Sequence, residues 1–427
     1  MADVTLSLGT LVTEIDSLVG SKVARVGTDG DSIDAILPTV VAEPTRASSV
    51  GQILGWASGR GVSVSVRGGG TKSGWGGPSG PIDVLLSTRA MNRVEVHRYS
   101  DLTATVQAGA TLSKTNAVLA EHRQWLPLDP HNDEQATIGG IVATNDSGPR
   151  RHRHGAPRDL IIGMTLARVD GVIAKSGGIV VKNVAGYDLA RLLTGSFGCL
   201  GVILSATFKL APVAEASRTV LVELPKVDVC ARYTADLIAH ASTPTALEVS
   251  VPQGTMLVRF ESVETVVISE ATRAAALAEK AGATATVLVG DDELEAWRTH
   301  QAQVFVEGHT IVKLTVMPSE LVSTLTWLEE EVRVRRLDYG LIGRVGLGVC
   351  YLRLQGAIAE QVSLILALRD RLPVGRGSAV IRQSNLELKK LIDTWGPIGD
   401  GFRIMRAVKQ QFDPTGMLNP SHGPGGL

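Results

Sequence analysis

Cysteine is scarce: Cys199, Cys230 and Cys350 are the only three in 427 residues, and none forms a C-x-x-C pair with another. That excludes a disulfide framework and a zinc site of the usual spacing, and it leaves too few thiolates for this chain alone to hold an iron–sulfur cluster. Aromatic residues are only 4% of the chain, too few for rows of base-stacking platforms. Neither charge sign dominates, with 42 Lys and Arg against 43 Asp and Glu, so a polybasic binder of nucleic acid or of membrane surfaces is excluded. No uninterrupted apolar run approaches the roughly 18 residues of a membrane span. Asp3 and Glu14 stand where a secretory signal would be basic. The expectation is a chain of the reducing cytoplasm with no transmembrane segment.

What is abundant is glycine, 46 residues, in a chain that is 44% hydrophobic. That length and apolar content suit two or three domains with separate cores. From about residue 20 to 212, short β-rich segments alternate with glycine loops. The periodicity predicts a helix over 48–59 and strands at 62–66, 82–86, 94–96 and 103–107, then a helix over 112–122. Past Pro212 one order of elements occurs twice. Strand 219–225, helix 227–240, strands 245–252 and 255–262, helix 265–282 and strand 284–289 are followed by strand 309–317, helix 319–336, strands 341–349 and 350–355, helix 357–371 and strand 377–382. Each set is a βαββαβ order, the ferredoxin-like plan, so an α+β cap of two such units is predicted. The expected divisions are an extension at 1–38, a first domain at 39–212, the cap at 213–384, and a segment 385–427 that returns to the first domain.

Three glycine-rich stretches lie in the first domain. Arg67-Gly68-Gly69-Gly70-Thr71 follows a strand, where glycines can turn successive N–H groups toward an anion such as a pyrophosphate. The spacing is neither that of a Walker loop nor that of a Rossmann fingerprint; alone, the stretch fits a tight bend equally well. The second, Asp129 to Gly148, has small residues at Ala136, Thr137, Gly139, Gly140, Ala143, Thr144 and Ser147. They would expose a surface of amides and hydroxyls to a long ligand, or pack as a closed loop. The third joins Lys182-Asn183-Val184-Ala185-Gly186-Tyr187-Asp188-Leu189 to Gly195-Ser196-Phe197-Gly198-Cys199-Leu200-Gly201.

In this order the three stretches resemble the FAD-binding domain of PCMH-type flavoproteins, the vanillyl-alcohol oxidase superfamily. The likeness covers roughly 39–212 and the closing Phe412-Asp413-Pro414-Thr415-Gly416-Met417-Leu418-Asn419-Pro420. Within the family the motifs are most similar to the FAD-binding subunit of bacterial glycolate oxidase. The resemblance implies a two-subdomain FAD-binding fold. It places Arg67, Gly68, Gly69, Gly70 and Thr71 at the FAD pyrophosphate, and Thr137, Gly139, Gly140, Asn145 and Ser147 along the isoalloxazine and ribityl side. Pro130 joins the cofactor-binding positions, Gly198, Gly201 and Ile203 contact the adenine half or the flavin edge, and Asn419 closes the site. Covalently flavinylated relatives carry His at Thr71 or Lys72, or Cys in the second stretch, so FAD is expected to be non-covalent.

Oxidising a 2-hydroxy acid needs a base, a cation for the carboxylate and often a metal. Catalytic relatives place much of this in G-H-x-G-D-G-N-x-H, which is missing here, and Phe197 replaces the Glu of their G-S-E-G-T-L-G. No metal site is expected. The catalytic candidates are His131, in the FAD stretch, and Arg353 and Arg382 on cap strands; each has a structural alternative as a loop hydrogen bond or an ion pair. Trp75 either walls the flavin or packs, and Lys182 and Asn183 read as partners for buried backbone. Arg150-Arg151-His152-Arg153-His154 reads as a solvated basic loop, with a partner subunit or an acidic substrate as the alternative.

The resulting expectation is an FAD-binding subunit of a glycolate-oxidase-like complex. It would work with a catalytic FAD subunit and an iron–sulfur subunit that receives electrons, peripheral to the inner membrane if its partners are. The alternatives are a self-sufficient FAD-dependent D-2-hydroxy-acid dehydrogenase and a flavin-stabilised assembly subunit.

Overall fold

A computed structural model describes residues 8–179, 186–372 and 375–427. Lys182 and Asn183 lie outside the described residues. Two compact units divide the chain. The first holds the residues up to Ser147, then Ala156–Val213 and Asp400–Leu427; the second holds Gly148–Gly155 and Ala214–Gly399. Asn385–Gly399, expected with the first domain, thus belongs to the second unit, and the return begins at Asp400.

The first unit has two larger sheets and a two-stranded pairing of Gln124–Trp125 with Ala211–Pro212. Four short strands lie in the order Ala24–Val26, Val40–Ala42, Val84–Ser87, Val64–Arg67, with the last two pairings parallel. Helix Ala47–Arg60 covers this sheet because Val50, Ile53, Leu54 and Ala57 recur on one face, and all are fully buried. Gly61, at φ +67°, ends the helix in the left-handed region. The second sheet is antiparallel, in the order Val94–Arg98, Thr103–Gln107, Val202–Lys209, Ile161–Ala167, Ile173–Gly177. Against it lies helix Ile138–Thr144, where an open surface or a loop was expected. Ile138, Ile141 and Val142 supply its buried side, and Gly139 lets it approach Ala108, whose Cβ lies 2.8 Å from where a Gly139 Cβ would stand.

The second unit is one eight-stranded sheet. Thr284–Leu288, Ala216–Glu223, Thr255–Ser262 and Ala246–Val251 continue into Asp338–Arg344, Val349–Gln355, Thr310–Thr315 and Ser378–Gln383. Each βαββαβ set therefore has its strands in the order 4-1-3-2, and the two sets join where Glu248 pairs with Arg344 and Val251 with Leu341. Alternation along the strands separates two faces. Val220, Val222, Leu247, Val249, Leu352 and Ile381 pack in an apolar core; Thr219, Glu248, Arg344, Tyr351 and Arg353 are on the opposite side. Helix Asp291–Ala302, absent from the expectation, lies on that polar side. Its inward positions are Glu293, Trp297 and His300, so it shows no apolar stripe. Glu293 instead accepts hydrogen bonds from Ser217 Oγ (2.6 Å) and Thr219 Oγ1 (2.9 Å) and pairs with Arg259 (3.0 Å).

Arg150–His154 is not a solvated loop. Arg150 forks onto Glu261 at 3.1 and 2.7 Å, the Gly148 carbonyl accepts from Arg344 Nε at 2.9 Å, and the His152 ring packs on Gly346. Burial lowers the pKa of both His152 and His154, against the opposing pull of Glu248 on the first and Glu261 on the second. Both imidazoles stay neutral in the folded chain where an unfolded histidine, with a pKa of about 6.5, takes up a proton. Unfolding is therefore favoured as pH falls through that value. Scanning calorimetry should show a melting temperature that falls between about pH 6.5 and 5, and His152→Gln should flatten part of that fall. An identical profile in the variant would remove His152 from the cause.

Candidate functional site

An open cavity lies in the first unit. It gathers Arg67, Gly68, Gly69, Gly70 and Thr71 from the first stretch, Thr137, Gly139 and Gly140 from the second, Gly198, Gly201 and Ile203 from the third, and Asn419 from the closing turn. Pro130, Asn145 and Ser147 are not in its lining. Asn145 sits at φ +48° as the cap of helix Ile138–Thr144, and its Oδ1 accepts from Arg158 N at 3.2 Å.

The glycines are there because the backbones touch. A Cβ on Gly69 would stand 1.9 Å from the Gln135 carbonyl oxygen, and one on Gly68 2.1 Å from Thr137 Oγ1, which already accepts from Gly69 N at 3.3 Å. Gly198, at φ +72°, leaves room for the Asn419 amide, 2.4 Å from the missing Cβ. That amide is a clasp: its Oδ1 accepts from Val66 N at 2.9 Å and its Nδ2 donates to the Phe197 carbonyl at 2.7 Å.

Further residues frame the cavity. Lys72 and Asp146 form an ion pair at 3.3 Å with side chains 6% and 4% exposed. Trp75 does wall the cavity, as do Phe197 and His422. The His422 ring spans Trp75 O (3.2 Å from Nδ1) and Ser79 Oγ (3.0 Å from Nε2). Behind the wall, Lys409 donates to the Cys199 carbonyl (2.9 Å), the Leu418 carbonyl (3.1 Å) and Asp413 (2.6 Å). Cys199 itself is no nucleophile, since burial pushes its thiol up to about 11.

The catalytic candidates are dispersed. His131 lies outside the lining, and burial lowers its pKa, so it is a neutral imidazole. Arg353 is a structural group: it pairs with Asp338 at 2.6 Å and donates to the Gln303 carbonyl at 2.9 Å. Arg382 is buried, with its guanidinium 6.0 Å from the Trp395 ring. Among the described residues no three of His, Cys, Asp or Glu are grouped as metal ligands. Gly343-Arg344-Val345-Gly346-Leu347-Gly348-Val349-Cys350-Tyr351 nevertheless keeps the glycine spacing of G-H-x-G-D-G-N-x-H. Arg344 and Tyr351 occupy its histidine positions and Leu347 its aspartate, and the Arg344 guanidinium lies 5.2 Å from the Tyr351 ring.

Residues 38–177 match the FAD binding domain, and 394–422 match the C-terminal domain of FAD linked oxidases. The fold is shared with a chitooligosaccharide oxidase at a TM-score of 0.69 and 17% identity, over 94% of this chain and 97% of that one. The chain carries an FAD binding domain and a C-terminal segment of FAD linked oxidases. This flavoprotein is 28% identical to the glycolate oxidase subunit GlcD of Bacillus subtilis over 90% of its own length and 88% of that protein. It is also 28% identical to a D-lactate dehydrogenase of Archaeoglobus fulgidus, over 89% and 90%. Similarity to the glycolate oxidase subunit GlcE of Escherichia coli is higher, 40%, but spans only 31% of this chain and 38% of that one. The flavoprotein is thus an FAD-dependent oxidoreductase. Its cavity is compatible with the cofactor, because Gly68, Gly69 and Gly198 carry no side chain where the three stretches meet around it.

Proposed function

We propose that this oxidoreductase of CH–OH donors is the FAD-binding subunit of a glycolate-oxidase-like 2-hydroxy-acid dehydrogenase complex, working with a catalytic flavoprotein subunit and an iron–sulfur subunit. Bound FAD supplies a two-electron acceptor for oxidation of the alcohol to a 2-oxo acid. The chain's own part is to bind and orient it: the loop at Gly68–Gly70 and the helix capped by Thr137 take the phosphates and ribityl chain, Asn419 clasps two of the three stretches, and Trp75 and Phe197 exclude water. The observation that carries the subunit reading is the exchange at Gly343–Tyr351. A spacing that in catalytic relatives bears histidines and an aspartate here bears Arg344, Leu347 and Tyr351, and Phe197 lines the cavity where those relatives have Glu.

A self-sufficient D-2-hydroxy-acid dehydrogenase is the second reading, favoured by the end-to-end match with the archaeal D-lactate dehydrogenase. Anaerobic addition of glycolate or D-lactate separates the two. The subunit should keep its yellow colour alone and bleach only with its partner proteins. Bleaching of the isolated chain would establish the second reading instead. Acid precipitation in the same experiment should release all flavin into the supernatant, since Thr71 and Lys72 stand where covalent relatives carry His.

A further inference from the structure

We propose that Arg67 is a latch rather than a phosphate ligand, and that Asp31 is the positioning residue that holds the first glycine loop in shape for the FAD pyrophosphate. The inference rests on FAD occupying this cavity. Arg67 ends strand Val64–Arg67, and its side chain turns to Asp31, with Nη2 2.6 Å from Oδ1 and Nη1 3.3 Å from the Asp31 carbonyl. Asp31 is a buried hub. Arg25 reaches its two oxygens at 2.6 and 2.9 Å, and Thr28 donates to Oδ2 from its N–H at 3.0 Å and its hydroxyl at 2.8 Å. Five donors, counting Arg67, fill a carboxylate that offers about four lone-pair sites. Arg67 thus commits two of its five N–H donors to Asp31, at the most desolvated charge beside it, with only 15% of its side chain exposed.

The far side of the loop is tied as well. Arg89 donates to the Gly68 carbonyl at 3.2 Å and to the Gly69 carbonyl at 3.1 Å. In a planar trans peptide the N–H points opposite to the C=O. Carbonyls drawn toward Arg89 therefore aim the Gly69 and Gly70 N–H groups the other way, the first onto Thr137 Oγ1. The loop is an amide nest stretched between two arginines, Arg67 drawn to Asp31 on one side and Arg89 holding the loop's carbonyls on the other.

Two readings of Arg67 predict opposite signs for one variant. If Arg67 bound phosphate, Asp31→Asn would release a guanidinium, tighten FAD and steepen its salt dependence. As a latch, Asp31→Asn should weaken FAD binding to the apoprotein by about 10-fold or more. Arg67→Met should give a similar loss with the slope of log Kd against log salt unchanged, and the double variant should be no worse than either single one. Asp31→Glu should recover part of the affinity. Tighter FAD in Asp31→Asn, or a shallower salt slope in Arg67→Met, would overturn the proposal, as would wild-type affinity in both. Apoprotein melting temperatures, read alongside, should fall in Asp31→Asn, which strips Arg67 of its counter-charge, and less in Arg67→Met, where Arg25 still pairs with Asp31; Arg67→Met keeps the test open if Asp31→Asn does not fold. Failure of the wild-type apoprotein to bind FAD would instead sink the flavoprotein reading.

Discussion

Gly69→Ala protein should fold and yet purify nearly colourless. The added methyl would stand 1.9 Å from the Gln135 carbonyl oxygen, a backbone atom that cannot swing away as a side chain could. The loop must retreat by roughly 1 Å, and overpacking of this kind costs about 1–3 kcal/mol. The retreat also takes the Gly69 N–H from Thr137 Oγ1 and shifts the Gly70 N–H beside it. In binding terms the loss is about 5- to 150-fold in FAD affinity, read as the ratio of flavin to protein absorbance after purification and as Kd on reconstitution. Gly59→Ala is the matched control: it lies in helix Ala47–Arg60 with nothing within 4 Å of the new Cβ. It should keep full flavin and gain slightly in stability, because alanine is the better helix former. Equal flavin content in the two variants would show that close approach at Gly69 does not shape the site.

Lys409→Met should lower both stability and flavin content. The ammonium group holds three things at once: the Cys199 carbonyl of the third glycine stretch, the Leu418 carbonyl beside Asn419, and the carboxylate of Asp413. Asp413 is 1% exposed and in turn accepts the N–H groups of Met417 and Leu418 at 3.1 and 2.8 Å. Methionine matches the lysine stem in volume but leaves that carboxylate buried without its counter-charge, which costs about 3–5 kcal/mol. The turn that presents Asn419 then loses its anchor, and the clasp across Val66 and Phe197 loosens. Calorimetry and flavin content should fall together. The double variant Lys409→Met with Asp413→Asn should recover part of the stability, because the buried charge goes with its partner. A double variant as unstable as the single one would show that packing, and not the charge, accounts for the loss.

The parts of the fold that were legible in the sequence are those whose signal is local. Helix Ala47–Arg60 shows its stripe of Val50, Ile53, Leu54 and Ala57, and the two sets of cap strands show their apolar runs and the order in which helices interrupt them. Helix Asp291–Ala302 escaped because its buried face is Glu293, Trp297 and His300, residues that are satisfied only by Ser217, Thr219, Arg259 and Glu248 on other strands. The stretch at Ile138–Thr144 escaped for another reason. Its paired glycines suggest an open surface or a loop until Ala108 is seen to need the space. Arg150–His154 looks like solvated charge, and nothing nearby in sequence announces Glu261, 111 residues on.

The glycine stretches by themselves marked where the backbone is constrained, because a residue without a Cβ reports such a constraint at its own position, and only their resemblance to a known family pointed to FAD. Tertiary structure alone decided who holds the grip in place. Arg67 finds Asp31 across 36 residues, Lys409 finds Cys199 across 210, and Asn419 finds Val66 across 353. A buried charge or amide is defined by the partner that satisfies it, and only the folded chain brings such distant partners within hydrogen-bonding distance.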